Sequence, residues 1–214
     1  LNENPQRVVD TVCSDLDAGI HKTYLLRGVT GSGKTEVYME LIAHTVAQGR
    51  QAIVLIPEIA LTYQTVMRFY NRFGDRVSIM NSKLSQGERF DQFERAKAGD
   101  IDIMIGPRSA LFTPFPHLGL IIIDEEHETS YKSETAPRYH ARDVAIERAR
   151  MNDASVLLGS ATPSVDSYYQ AMQGKYQLLT LSERVEKKPL PDCEVVDLRS
   201  ELRAGNRSIF SERL

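Results

Sequence analysis

TYLLRGVTGSGKTEVYMELIAHTVAQG (residues 23–49) reads as strand, loop and helix in succession. TYLLRG (23–28) is a short apolar run suited to a buried strand. GKTEVYMELIAHTVAQG (33–49) sets Val37, Leu41 and Ile42 on one helical face, and Gly49 stops it. Between them, GVTGSGKT (28–35) matches GxxxxGK[ST] in the strand–loop–helix context that a phosphate-binding loop requires. Gly28, Gly31 and Gly33 let the backbone turn tightly and aim its N–H groups inward. The helix N-terminus adds partial positive charge where phosphates would sit. The candidate nucleotide cradle is therefore Gly28, Val29, Thr30, Gly31, Ser32, Gly33, Lys34 and Thr35. Lys34 would neutralise the β- and γ-phosphates, and the Thr35 hydroxyl would ligate Mg²⁺.

The same alternation continues outward from this loop. Helix-like segments fall at 5–18, 60–73, 85–99, 140–151 and 164–173. Short strands fall at 51–57, 76–80, 101–106, 118–124, 154–160, 176–181 and 193–198. Apolar strands separated by helices predict right-handed crossovers and a parallel sheet buried on both faces. The fold class is α/β: a parallel sheet flanked by helices, as in P-loop NTPases. Residues 1–181 are expected to form the nucleotide-binding domain. From 182 to 214 the texture becomes charged and proline-containing, a late strand and linker. SERL (211–214) reads as the start of a further helix, so a piece of a longer polypeptide is expected.

LGLIIID (118–124) ends in Asp124, followed by Glu125, Glu126 and His127. Acids at the carboxyl end of a buried strand lie at the ligand-binding edge of a parallel sheet. There Asp124 can join the Mg²⁺ shell and Glu125 can orient and deprotonate an attacking water. Adjacent carboxylates repel, and a cation between them removes the conflict.

Composition narrows the alternatives. With 214 residues the chain fits roughly one large domain and a tail. Its net charge of -3 gives no overall basic field, so any nucleic-acid contact must be a local patch. Cys13 and Cys193 are far apart and have no CxxC spacing, which excludes a disulfide framework or a self-contained zinc site. A reducing cytoplasm is the expected compartment, and no apolar run approaches the length of a membrane span.

GVTGSGKT, DEEH (124–127) and SAT (160–162) together resemble the first motor lobe of a superfamily 2 helicase of the DEAH/DExH type, with its RecA-like fold. GVTGSGKTEVY (28–38), IPEIALTYQ (56–64), GPRSALF (106–112), DEEHETSYK (124–132), PRYHARD (137–143) and GSATPS (159–164) are more narrowly similar to the bacterial replication-restart, or primosomal, helicases. That resemblance runs from about residue 1 to 200. It implies ATP and Mg²⁺ as cofactors, 3′→5′ movement on single-stranded DNA, action at abandoned forks, and fork DNA and other primosome proteins as partners. It also implies a second lobe that closes the ATP cleft. Zinc is expected only in a cysteine-rich module that these residues do not contain. The family's adenine-reading glutamine aligns with Pro5, and Gln6 stands one residue on.

Further candidates lie at strand ends. In IPEIALTYQ, backbone N–H groups with Thr62 and Gln64 suit phosphate oxygens. Arg108 and Ser109 of GPRSALF are further phosphate donors. Tyr131, Lys132, Arg138 and Tyr139 interleave aromatics with cations, a pattern that stacks bases and attracts the backbone; the resemblance makes this the loop that links DNA to hydrolysis. Glu126, His127, Ser160, Ala161 and Thr162 are expected to report the phosphate state to the other lobe. Residues 1–214 alone are expected to hydrolyse ATP very slowly. The rival readings are a small-molecule P-loop kinase, which needs an acceptor pocket, and a non-catalytic nucleotide-gated scaffold, which binds without hydrolysis.

Overall fold

In the computed structural model, which describes residues 3–182 and 194–213, seven of the apolar runs form strands. They are β1 (Thr23–Gly28), β2 (Gln51–Leu55), β3 (Val77–Ile79), β4 (Ile103–Gly106), β5 (Leu118–Ile123), β6 (Ser155–Ser160) and β7 (Gln177–Leu181). All pair in parallel, in the order β3-β4-β2-β5-β6-β1-β7. The helices are α1 (Glu3–Asp17), α2 (Lys34–Ala47), α3 (Tyr63–Phe73), α4 (Gln86–Ala98), α5 (Ala141–Met151), α6 (Val165–Met172) and α7 (Leu198–Ala204).

Successive strand residues face opposite sides of the sheet, and both sides are covered. Tyr24, Leu26, Val54, Ile122 and Leu157 pack with the apolar faces of α1 and α2 and with Phe69 of α3. Leu25, Ile53, Leu55, Ile121, Ile123 and Leu158 pack on the other side, where Ala96, Ala141, Ala145, Ala149 and Ala171 let α4, α5 and α6 approach closely. This double coverage is why the strands read as unbroken apolar runs rather than as alternating ones. Each such Ile, Val or Leu contributes about 1.5–3 kcal/mol relative to exposure.

The sheet order positions the site. All carboxyl ends of a parallel sheet share one edge, and β6 alone separates β1 from β5. The loops leaving β1 and β5 therefore start about 10 Å apart, twice the strand spacing.

Three departures from expectation bear on the chain's organisation. Residues 58–60 form a 3₁₀ turn, and α3 starts only at Tyr63 because the Thr62 side chain accepts from Thr65 N and caps it. The late strand expected at 193–198 is absent among the described residues. Val195 is solvated, Asp197 accepts from Arg199 N as an N-cap, and α7 follows to an αL Gly205. Residues 211–213 are not helical. Residues 183–193 of the expected linker, Cys193 among them, lie outside the described residues.

Candidate active site

The phosphate loop is shaped by backbone geometry. Gly31 (φ 78°) and Gly33 (φ 91°) adopt left-handed conformations that L side chains resist. Gly33 is the N-cap of α2, and no side chain caps that helix. Its first N–H groups are thus available to an anion. The Ser32 hydroxyl is buried without a hydrogen-bond partner. An orphaned buried hydroxyl is costly, and a bound oxyanion in this cradle would relieve it. Lys34 Nζ donates to Gly28 O (2.8 Å) and stands 4.0 Å from Glu125 Oε1. Thr30, Gly31, Ser32, Gly33, Lys34, Thr35, Asp124 and Glu125 line a single cleft of about 420 Å³.

Sequence reading missed three residues here. Glu36 and Arg68 also line the cleft and form an ion pair (2.6 Å) from α2 to α3. Tyr38, one helical turn beyond Lys34, is buried and donates to Asp124 Oδ1 at 2.8 Å. In the sequence it stands four residues after the loop lysine, at the end of GVTGSGKTEVY (28–38), with nothing to say that it meets Asp124.

The acids follow from how β5 ends. Burial pushes the Asp124 carboxyl above its usual range, against the opposing effects of Tyr38 and Lys34. Glu125 is raised by burial and then by the Asp124 charge. A cation beside them would favour both ionised forms. Glu125 has φ 47°, a left-handed value uncommon outside glycine and asparagine. This turn leaves Asp124 and Glu125 at the cleft, whereas Glu126 is buried. There Glu126 accepts from Ser164 N, Ser164 Oγ and Ser167 Oγ at 2.7, 3.1 and 2.8 Å, with Arg142 3.8 Å away. His127 Nδ1 lies 2.8 Å from Ser160 Oγ, which also accepts from Thr162 N (3.0 Å) across Ala161. His127 is 3.7 Å from Glu125 Oε2. The acid loop is thus tied to the β6 turn at two points.

Comparison with known proteins matches the DEAD/DEAH box helicase family model over residues 6–171. The chain belongs to the DEAD/DEAH box helicase family. It is 50% identical to replication restart protein PriA of Bacillus subtilis over all of its length and 27% of that relative's. It is 48% identical to the Synechocystis protein of the same name, over 92% of this chain and 24% of that one. The chain thus spans about a quarter of the length of these relatives. Two solved structures share the fold. One is RecG bound to a three-way DNA junction (TM-score 0.62, 24% identity, 85% of this chain and 24% of that one). The other is the Pyrococcus furiosus Hef helicase domain (TM-score 0.57, 17% identity, 85% and 38%).

Membership in this helicase family implies use of a nucleotide and Mg²⁺, and the residues fit both. The uncapped helix, the orphaned Ser32 hydroxyl and Lys34 suit phosphates. Thr35 and Asp124 offer the hard oxygen donors that Mg²⁺ prefers. Gln6 is exposed on α1 and donates to Asp10 Oδ1.

The other candidates divide. Thr62, Gln64, Ser109, Lys132 and Arg138 are exposed at the same sheet edge, over β2, β4 and the loop after β5. Arg108 turns onto that loop. It donates to Ser130 O (3.1 Å) and Lys132 O, and its guanidinium lies 5.6 Å from the Tyr139 ring centre. Tyr139 is half-buried and packs edge-on against Phe112 at 5.5 Å. Tyr131 requires correction. It is 1% exposed, and its hydroxyl lies 2.7 Å from Asp124 O and 3.1 Å from Leu55 O. Its ring fills the core under the acid loop and is closed to a base.

Proposed function

We propose that this chain is the ATP-binding motor lobe of a DNA-dependent ATPase and 3′→5′ helicase that restarts stalled or abandoned replication forks. On this reading residues 1–181 are the first helicase lobe, and 182–214 lead toward a second. The observation that carries it is the single cleft in which Lys34 stands 4.0 Å from Glu125. The family match and the relatives named for replication restart support the biological setting.

The residues divide the work of phosphoryl transfer to water. The α2 N-terminus and Lys34 bind and neutralise the phosphate oxygens. Mg²⁺, held by Thr35 and Asp124, would supply further positive charge to the β- and γ-phosphates. Glu125 orients the attacking water and accepts its proton. His127, Ser160 and Thr162 carry the state of the acid loop to the β6 turn. Thr62, Gln64, Ser109, Lys132, Arg138 and the Arg108–Tyr139 pair form the single-strand surface. Fork DNA and other primosome proteins are the partners, and the bacterial cytoplasm is the compartment. Among the described residues no helix is long and apolar enough to cross a membrane.

The test is phosphate release by the complete native polypeptide with and without single-stranded DNA. Stimulation by DNA with no acceptor supports the proposal. Transfer to a metabolite would instead indicate a small-molecule kinase, and tight binding with no hydrolysis a scaffold.

A further inference from the structure

Asp124 is held from both faces of the sheet. Tyr131 reaches its carbonyl from the side of α5, and Tyr38 reaches its carboxylate from α2. The second contact is the more demanding. To meet Asp124, Tyr38 has to cross β6, which lies between β1 and β5. It crosses at Gly159, where an added Cβ would stand 1.8 Å from the phenol oxygen. A Cβ there could be placed only by moving the phenol, so glycine at 159 and tyrosine at 38 are a matched pair.

The contact has a defined polarity. A phenol carries one proton to donate, and a carboxylate can only accept. Oδ1 is thereby engaged. The Glu125 backbone N–H also acts on this carboxylate and, like Tyr38, favours its ionised form. The phenol restrains the rotation of the carboxylate, and it comes from the same helix that begins with Lys34 and Thr35.

We infer that Tyr38, passing over Gly159, is a positioning residue that presets the Asp124 carboxylate for Mg²⁺ beside Lys34 and Thr35. The inference deepens the nucleotide-site reading above and rests on it. A phenol that merely filled the core would influence folding alone. One that orients a metal-binding carboxylate acts on the metal-dependent part of nucleotide affinity.

The experiment separates these by measuring binding rather than turnover. A fluorescent ADP is titrated into the complete native polypeptide and its Tyr38→Phe, Gly159→Ala and Lys34→Ala variants, from EDTA through rising Mg²⁺. In Tyr38→Phe the Mg²⁺ concentration for half-maximal gain in affinity should rise about tenfold, the lower end for loss of an outer-shell partner of a metal ligand. Affinity in EDTA should be retained. Gly159→Ala displaces the same hydroxyl by another route and should move the Mg²⁺ midpoint in the same direction. An unchanged midpoint in both variants, or equal weakening with and without Mg²⁺, overturns the inference. If binding by the unsubstituted protein ignores Mg²⁺, or survives Lys34→Ala intact, the nucleotide-site reading itself fails.

Discussion

Over β1, β6 and β5, the carboxyl edge of the sheet fixes its polar groups by internal contacts, whereas over β2 and β4 it leaves most of them free. In the first half Asp124 is held by Tyr38, Glu126 by three donors, and His127 by Ser160. In the second half Thr62, Gln64 and Ser109 are exposed, as are Ile59 (88%) and Tyr63 (77%). On the proposed function, the contrast follows the chemistry of each half. Phosphoryl transfer depends on groups already in place as charge develops. A polyanion held through many phosphates is served by adaptable cations and donors.

Glu126→Ala probes the fixed half most severely. It leaves Ser164 and Ser167 without their buried acceptor and Arg142 without its counter-charge, and the expected loss is about 3–5 kcal/mol. Urea unfolding measures it; a loss under 1 kcal/mol on the same scale would erase the contrast between the halves. Lys34→Ala should lower DNA-stimulated ATP hydrolysis by about 10²–10³, or roughly 3–4 kcal/mol of transition-state stabilisation. Undiminished turnover would remove the loop from the chemistry.

A smaller effect is expected where the two halves meet. His140 caps α5 by accepting from Arg142 N. Burial, then the Arg142 charge, pushes its pKa below the usual value. The unfolded chain takes up that proton near pH 6.5. Stability from the cap is therefore complete above that value and is lost as pH falls toward the lower folded pKa. Its size is about 1 kcal/mol. His140→Asn keeps a cap that does not titrate, so its melting temperature should drop less than the parent's between neutral and mildly acidic pH. His21, also lowered by burial, supplies a remaining slope common to both. The smallest effect belongs to an exposed cation on the loop after β5. Arg138→Ala should reduce the slope of log affinity against log salt for single-stranded DNA by about 0.7, one phosphate contact, with little change in stability. An unchanged slope would take Arg138 out of the single-strand surface.

What the sequence made legible tracks this division. The loop and the acid pair were readable because their chemistry is written in local spacing and strand ends. The path of Tyr38 was not, because it depends on β6 lying between β1 and β5, a matter of strand order. The inward turn of Glu126 depends on the left-handed backbone at Glu125, which nothing in DEEH announces. Tyr131 was misjudged because a tyrosine beside cations suits either a base or a core, and the loop's path decides between them. VVDL read as a strand by composition, but Asp197 caps a helix there instead.

The central position of β6 has one more consequence. Its hydrogen bonds run in register to β1 on one side and β5 on the other, so neither neighbour can slide without breaking a ladder. The span from phosphate cradle to acids is set like a gauge block. A distortion that a ligand imposes therefore falls on the turns beyond Ser160 and Glu128 rather than on the strands, and those turns are where a signal can leave the cleft.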